Sequence, residues 1–241
     1  MKYISIALFI ACLFALTGCE STTQTTSGKD YISKYASSAS QSTQGTDIDA
    51  EIAEIASVEP TLRFPARIGL AKIHNGEIAN LSEEETLAWT DASQSLGETF
   101  GEFIPVSALI AEMVYTPTNT NAATSAREIV RKIRLGAARQ HLDAVLIYET
   151  FSKTSEKTLA SSVANWTIIG AYFVPSSEIT TVAYANALLL DVRNGYPYAT
   201  ASATTTEKEL SQLAGHWNKK LNLTETTQIA AGIKLIPEAV E

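Results

Sequence analysis

The sequence predicts an α/β (α+β) fold in which helices pack on a single mixed β-sheet. Strand-like and helix-like segments alternate between about residues 61 and 142. Four further strands and a final helix then complete the order β-α-β-α-β-β-β-β-α. Alternation followed by a meander implies that one sheet contains both parallel and antiparallel neighbours.

The first strand is predicted over residues 63–73, with a turn at Asn75-Gly76. Ser82 and Glu85 have the spacing of a capping box, which predicts a helix from there to about residue 95. Residues 103–115 are then predicted as a second strand region that is broken or entered at Pro105.

The second half of the chain begins with a helix that is opened by another capping-box pair, Ser125 and Glu128. Residues 143–152 are apolar in their first half and predict a buried strand. The remaining predicted elements are strands over residues 165–174, 179–193 and 196–205, a type I′ turn at Asn194-Gly195, and a helix from Thr206 to about residue 221.

The first residues predict a secretory signal peptide. Lys2 supplies a positive start, and residues 4–16 contain no charged residue. This apolar run is too short for a bilayer-spanning helix, which needs about 20 apolar residues. A basic start, a short apolar core and small residues at its end are typical of a cleaved signal peptide, assigned to residues 1–18.

Leu16-Thr17-Gly18-Cys19 resembles the lipobox of bacterial lipoproteins. The resemblance implies cleavage before Cys19, attachment of fatty acyl chains (palmitate among them) at Cys19, and anchorage in a membrane. Glu20 favours the outer membrane, because Asp at this position favours inner-membrane retention in enterobacterial lipoproteins. The alternative is an ordinary signal peptide with a chance cysteine near its cleavage point.

Residues 19–46 are predicted as a lipidated, disordered tether, since they are rich in Ser, Thr and Gln and cannot bury enough apolar surface. Residues 47–241 are predicted as one periplasmic domain. Its first part, residues 47–57, reads as an amphipathic helix with isoleucines at positions 48, 52 and 55. That helix either docks a partner or packs on its own domain.

The composition and motifs exclude several function classes. A net charge of −8 argues against a nucleic-acid partner. After cleavage Cys19 is the one cysteine, so neither a disulfide within the chain nor a cysteine metal site is expected. The histidines 74, 141 and 216 lack ligand spacing, and phosphate-binding and nucleophile motifs are absent from the sequence. We therefore expect no metal, no cofactor and no enzymatic activity.

Two groups of residues are candidates for partner binding. Arg127, Arg131 and Arg134 form a basic stripe at helical spacing, which would recognise carboxylates or phosphates unless it is an ordinary solvated face. Tyr184, Tyr196 and Tyr198 surround the predicted hairpin turn. They are interface anchors or ordinary strand-forming residues.

The folded part resembles the periplasmic domain of curli-secretion lipoproteins and of lipoprotein activators of penicillin-binding proteins. The matching segments are residues 66–71, the strand Asp-Ala-Val-Leu-Ile-Tyr at 143–148, and Asp191 to Gly195. The resemblance implies a non-enzymatic binding or accessory role in envelope assembly or secretion, with an envelope protein as partner. The alternative is a homo-oligomeric, ring-forming structural subunit. A pore is disfavoured, because residues 152–165 are short and polar.

Overall fold

The computed structural model describes residues 19–23, 27–29, 32–33, 47–115, 126–159, 177–211 and 216–240. Within these ranges, seven strands form one open, mixed sheet that is accompanied by five helices. The predicted fold class, an α+β domain built on a single mixed sheet, is confirmed.

The strands are β1 (Cys19–Thr23), β2 (Ala66–His74), β3 (Glu77–Ala79), β4 (Gly101–Pro105), β5 (Ala144–Thr158), β6 (Ser177–Asp191) and β7 (Pro197–Ser211). The helices are α1 (Asp47–Ala56), α2 (Glu83–Leu96), α3 (Ala108–Val114), α4 (Ala126–Arg139) and α5 (His216–Val240). The strand order is β1-β7-β6-β5-β2-β3, and β4 also pairs with β2. β2 runs parallel to β4 and β5, whereas the other pairs are antiparallel.

β2 is buried on both faces, which explains its near-continuous apolar sequence. Ile68 and Leu70 belong to the core that contains Trp89 of α2 and Leu235 of α5. Ala71 faces the other way and belongs to a second core with Val106, Val145, Ile129 and Ile133, the last two from α4. The sheet therefore lies between α2 and α5 on one side and α4 on the other.

The start of α2 is the one that the sequence predicts. The Ser82 hydroxyl accepts a hydrogen bond from the Glu85 backbone N–H at 3.2 Å. In return, the Ser82 backbone N–H donates to Glu85 Oε2 at 2.9 Å. Both halves of the capping box are present, and the helix ends at Gly97, whose φ is 75°.

The predicted strand over residues 103–115 is wrong in its second half. Pairing with β2 ends at Pro105, and the hydroxyl of Ser107 accepts the Ile110 backbone N–H at 3.3 Å to cap α3. α3 approaches α4 closely, because a Cβ added to Gly136 would lie 2.8 Å from the Cβ of Ala111. A short apolar run thus packs as a helix where a strand was expected.

The helix predicted from Thr206 to about residue 221 is wrong over residues 206–211 and confirmed from His216 onward. β7 continues to Ser211 and pairs with β6 along this whole length, while α5 begins only at His216 and runs to Val240. Cross-strand pairing therefore overrides the capping-box spacing of Thr206 and Glu209, as tertiary context often does for strands.

The turn between β6 and β7 lies where the sequence predicts it but is not a two-residue type I′ turn. Gly195 has a φ of 77°, whereas Asn194 is not in the left-handed region. The Gly195 N–H donates to the Asp191 carbonyl at 3.1 Å, so the loop is longer than the two residues of a type I′ turn. Asp191 Oδ1 accepts the backbone N–H groups of Arg193 and Asn194 at 2.8 and 3.2 Å, which stabilises this wider turn.

The N-terminal tether prediction differs from the structure over residues 19–23. These residues form β1, which pairs antiparallel with β7 so that Cys19 lies opposite Ala203. The backbone N–H of Lys29 also contacts the domain, donating to Glu59 Oε1 at 3.0 Å. The predicted strand over residues 165–174 and the capping residue Ser125 lie outside the described residues.

Candidate functional site

The long β5–β6 hairpin is covered on one face by α5. The two strands pair without a break from Ala144–Asp191 to Thr158–Ser177. On the covered face, the hydroxyl oxygen of Thr154 lies 3.0 Å from those of both Thr181 and Thr224. Since side chains alternate along a strand, every second residue points to the opposite face.

On the opposite face, side chains of the outer part of β5, β6 and β7 remain exposed or half-exposed. Phe151 and Tyr184 are directly opposite in register and stack with ring centroids 5.1 Å apart. Their exposed fractions are 47% and 37%. We define the bare face by the residues that share this side around the pair: Glu149, Phe151, Lys153, Val182, Tyr184, Asn186, Thr204, Thr206, Lys208 and Leu210.

The bare face combines exposed aromatic residues with charged residues at its edge. An aromatic pair forms its centre, and the next register pair is Lys153 with Val182. Lys208 lies 3.7 Å from Glu178 at its rim. Aromatic residues are enriched and charged residues depleted at the centres of protein interfaces, whereas their rims are polar. Tyr184 was identified from the sequence, but Phe151 was missed because only the hairpin register brings the two rings together.

The three arginines of the predicted basic stripe have different surroundings in the structure. Arg134 Nη2 donates to the carbonyls of Val192 and Arg193 at 3.0 and 3.1 Å, so this residue holds the β6–β7 turn. The guanidinium of Arg131 lies 5.6 Å from the centre of the Tyr115 ring. Arg127 and Arg131 are exposed on α4. The stripe is therefore partly structural.

Tyr196 and Tyr198 are not exposed anchors in this structure. Tyr196 is buried, with 4% of its surface exposed. The Tyr198 hydroxyl donates to Asp191 Oδ2 at 2.7 Å and accepts the backbone N–H groups of Thr61 and Leu62 at 2.9 and 2.7 Å. Both tyrosines therefore help to hold the β6–β7 turn and the segment before β2.

Asp191 is the centre of this turn and is fully buried. Its Oδ2 accepts from the hydroxyls of Thr61 and Tyr198, at 2.5 and 2.7 Å, and its Oδ1 from two backbone N–H groups. Burial by itself raises the pKa of Asp191, but these hydrogen bonds outweigh it and lower the pKa below the ordinary 3.8. The carboxylate thus remains charged and joins residue 61 to the turn.

A second buried charge lies between the sheet and α2. Lys72 Nζ donates to both oxygens of the fully buried Glu85, each at 2.8 Å. Tyr148 donates to Glu85 Oε1 at 3.3 Å. Burial, followed by the negative charge of Glu85, raises the pKa of Tyr148 far above its ordinary value of 10.0. This phenol stays protonated and acts as a hydrogen-bond donor within the core.

Within the described ranges, no set of three or more His, Cys, Asp or Glu residues is placed to hold a metal ion. A surface cleft of about 260 Å³ between α2 and β4 is lined by residues that include Trp89, Glu102 and Phe103. Glu102 is paired with Arg67 Nε at 2.9 Å.

His216 lies 3.1 Å from Glu156 and 3.2 Å from the Ser177 hydroxyl, at the outer end of the hairpin.

No protein-family model and no curated protein matches the sequence. Similar solved structures include a dodecamer of a PelC variant from Paraburkholderia phytofirmans, with 15% identity over 74% of this chain and 91% of that chain, at a TM-score of 0.34. Lipoprotein GNA1162 from Neisseria meningitidis has 23% identity over 69% and 99%, at a TM-score of 0.32. Rare lipoprotein B from Shewanella oneidensis has 12% identity over 72% and 92%, at a TM-score of 0.30.

Two of these three proteins are bacterial lipoproteins by name. Similarity at this level assigns neither a family nor a residue role to the present chain. Among the described helices, none combines the length and apolar character needed to cross a membrane.

Replacing Glu85 with Gln is expected to lower the free energy of unfolding by about 3 kcal/mol, because the buried ammonium of Lys72 loses its countercharge. Urea unfolding at pH 7 measures this loss. Glu84→Gln on the exposed side of α2 is the matched control and should be nearly neutral. Adding Lys72→Met to Glu85→Gln should recover part of the loss; no recovery would contradict a charge-pair origin.

Asp191→Asn is expected to destabilise the protein by about 3 kcal/mol at pH 7, since charge-assisted hydrogen bonds to a buried carboxylate are lost. The folded-state pKa of Asp191 lies below its unfolded value. Its contribution is therefore complete above pH 3.8 and disappears as the pH falls through the lower, folded-state pKa. The wild-type advantage over Asp191→Asn, measured by denaturant unfolding from pH 6 to pH 2.5, should shrink only below about pH 4. An advantage independent of pH would exclude this carboxylate as its source.

Proposed function

We propose that the chain is a lipid-anchored protein of the bacterial envelope that binds a partner protein through its bare face, without catalysing a reaction. The observation that carries the binding role is the stacked Phe151–Tyr184 pair, which lies exposed on a sheet whose opposite face is buried by α5. An aromatic pair presented on paired strands is pre-ordered, so binding costs little conformational entropy.

The lipobox-like sequence at residues 16–19 supports the anchor. Cys19 would carry the acyl chains, and two chains suffice for stable attachment where one gives reversible binding. The outer membrane is the favoured site because Glu20, rather than Asp, follows the cysteine. The domain would then face the periplasm and meet its partner there, in the assembly or secretion role implied by the sequence resemblance.

A non-enzymatic role agrees with the character of the proposed surface. Glu149 is the one carboxylate among the ten residues that define the bare face. A general acid and a general base would require two titratable groups within reach of one substrate atom. Contact with a protein surface requires only complementary shape and charge.

The second candidate is a ring-forming structural subunit. The observation that favours it is a charge contrast between two helices: α1 contains four acidic residues and no basic one, whereas α4 contains five basic residues and one acidic one. Opposite charges on separate surfaces permit head-to-tail association between identical chains.

Replacing Phe151 and Tyr184 together with Ser is expected to weaken partner binding at least tenfold while unfolding remains cooperative. A photoreactive amino acid at position 153 of the lipidated protein should cross-link one defined envelope protein, and the double variant should lose that adduct. Trp217→Ser removes a still more exposed aromatic residue from α5 and is the control. An unchanged adduct in the double variant would exclude the bare face as the binding site.

The membrane-extracted protein is expected to have the mass of the chain from Cys19 plus its acyl groups. Cys19→Ala should remove the acyl mass, because the thiol that accepts the lipid is absent, and should leave the protein unattached to the membrane. Mass spectrometry and membrane fractionation measure the two effects. An unmodified wild-type mass would contradict the anchor but not the binding surface.

A further inference from the structure

We propose that the outer edge of β4, together with the cleft between β4 and α2, binds an extended segment of a partner protein as an added strand. We call this surface the β4 edge site. It is defined by the backbone of Phe103 and by the cleft residues Leu70, Trp89, Thr90 and Phe103. The site lies on the β2 side of the sheet and shares no residue with the bare face, so the inference goes beyond the proposed function.

Phe103 presents free backbone groups on the outer side of β4. The Phe100 carbonyl accepts the Ala66 N–H at 2.9 Å, and the Val106 N–H donates to the Leu70 carbonyl at 2.8 Å. Phe100 and Val106 thus direct these groups toward β2, and Phe103 lies three residues from each of them. Because successive residues of a strand direct their backbone groups to opposite sides, the N–H and the carbonyl of Phe103 point away from β2. Among the described residues, neither group has a hydrogen-bond partner.

The free part of this edge is short. None of the five residues of β4 is fully buried, so the edge is open to solvent. At the end of the strand, Pro105 has no N–H, and its carbonyl accepts the side-chain amide of Gln140 at 3.3 Å. Prolines and covered groups of this kind limit the pairing of edge strands. The site therefore accepts one short strand, centred on Phe103.

The cleft lies on the same side of the sheet as the Phe103 ring. That ring is 5.0 Å from the ring of Trp89, so it faces α2. The cleft lining includes the buried side chains of Leu70 and Trp89 and, on α2, the exposed Thr90. Its volume of about 260 Å³ is below the roughly 300 Å³ at which small-molecule pockets begin. The cleft is thus suited to a single large side chain.

Strand pairing at Phe103 would direct a side chain into this cleft. In an antiparallel hydrogen-bonded pair, the residue opposite Phe103 exchanges both backbone bonds with it. Residues that lie directly opposite each other also have their side chains on the same face of the sheet. The partner residue that pairs with Phe103 therefore has its side chain on the α2 side, where the cleft lies. Backbone bonds then supply affinity and the cleft supplies specificity, as in other cases of strand addition.

A second apolar contact lies next to the cleft. The Phe100 ring is 5.5 Å from the Phe103 ring, and Phe64, which is 54% exposed, stacks on Phe100 at 5.0 Å. Gly101, the next residue of β4 on this face, has no side chain to occupy the space. A partner residue two positions from the cleft residue is on the same face and about 7 Å along the strand. The segment should therefore contain two large apolar residues separated by one residue.

The free backbone groups determine which kind of partner fits. A helix uses its own N–H and carbonyl groups internally and cannot bond to a strand edge. The β4 strand of a second copy would place its own Phe103 opposite Phe103. That ring is already packed on Trp89 of its own chain and cannot fill the cleft. An extended segment of a different protein satisfies both the edge and the cleft.

Peptide selection on the full-length lipoprotein in detergent micelles tests the site. The probe is a phage-displayed library of short random peptides, selected on the Phe151→Ser, Tyr184→Ser double variant so that the bare face supplies no binder. We expect the selected peptides to share two large apolar residues one residue apart. Their binding to the wild-type chain should slow hydrogen exchange of the Phe103 amide. Failure to select any peptide would overturn the proposal.

Two variants separate backbone pairing from side-chain recognition. An ester at position 103, introduced with phenyllactic acid, removes the N–H but keeps the ring, and should weaken peptide binding about fivefold. Thr90→Trp fills the cleft and should weaken it about tenfold or more. Asp91→Trp, at an exposed neighbouring position of α2 outside the cleft, is the matched control and should bind normally.

Equal affinity of the selected peptides for the wild type, the ester variant and Thr90→Trp would overturn the proposal. A photoreactive amino acid at position 94, on the cleft rim, identifies the occupant in the membrane. A cross-link to an extended segment of another protein is expected, and Thr90→Trp should abolish it. A cross-link between two copies of this chain would assign the edge to self-association and overturn the proposal. The adduct from position 153 reports separately on the bare face.

Discussion

The contact between Lys72 and Glu85 joins the helices on one side of the sheet to the strands beneath them. Glu85 caps the first turn of α2, accepts two hydrogen bonds from Lys72 of β2, and accepts a third from the Tyr148 hydroxyl of β5. α5 also reaches it, since a Cβ at Gly232 would lie 2.8 Å from Glu85 Oε1. A buried charge is tolerable only when it is paired and hydrogen-bonded, so these four elements are held to one arrangement.

That arrangement determines which face of the β5–β6 hairpin remains uncovered for binding. α5 begins at the outer end, where His216 lies 3.2 Å from the Ser177 hydroxyl, and follows the covered face of β5 and β6 inward to Ser152, whose hydroxyl accepts from Gln228 at 3.0 Å. Because the alternation of a strand is strict, covering one face leaves Phe151 and Tyr184 on the other. The proposed binding surface is thus a consequence of where the C-terminal helix lies, and not of a separate insertion.

Local signals predicted the elements whose ends depend on local chemistry. The capping box of Ser82 and Glu85 and the position of the Asn194-Gly195 turn are examples. Sequence reasoning failed where distant pairing decides, as for residues 206–211, which form strand because β6 lies beside them. Ser107 was an available N-cap signal that the apolar run around it obscured. The aromatic pair of the candidate site required the register between β5 and β6, which no local pattern contains.

β1 gives the proposed lipid anchor a defined position on the domain. Cys19 pairs with Ala203, eight residues along β7 from Ser211 at the outer end of the hairpin. At about 3.4 Å per residue, the two points are separated by about 27 Å of paired strand. An acyl group at Cys19 would therefore hold the outer end of the hairpin at a fixed distance from the lipid. A flexible tether would instead allow this end to lie at many different distances. The protein would then act as a spacer as well as a binder, and partners would be selected by their height above the bilayer.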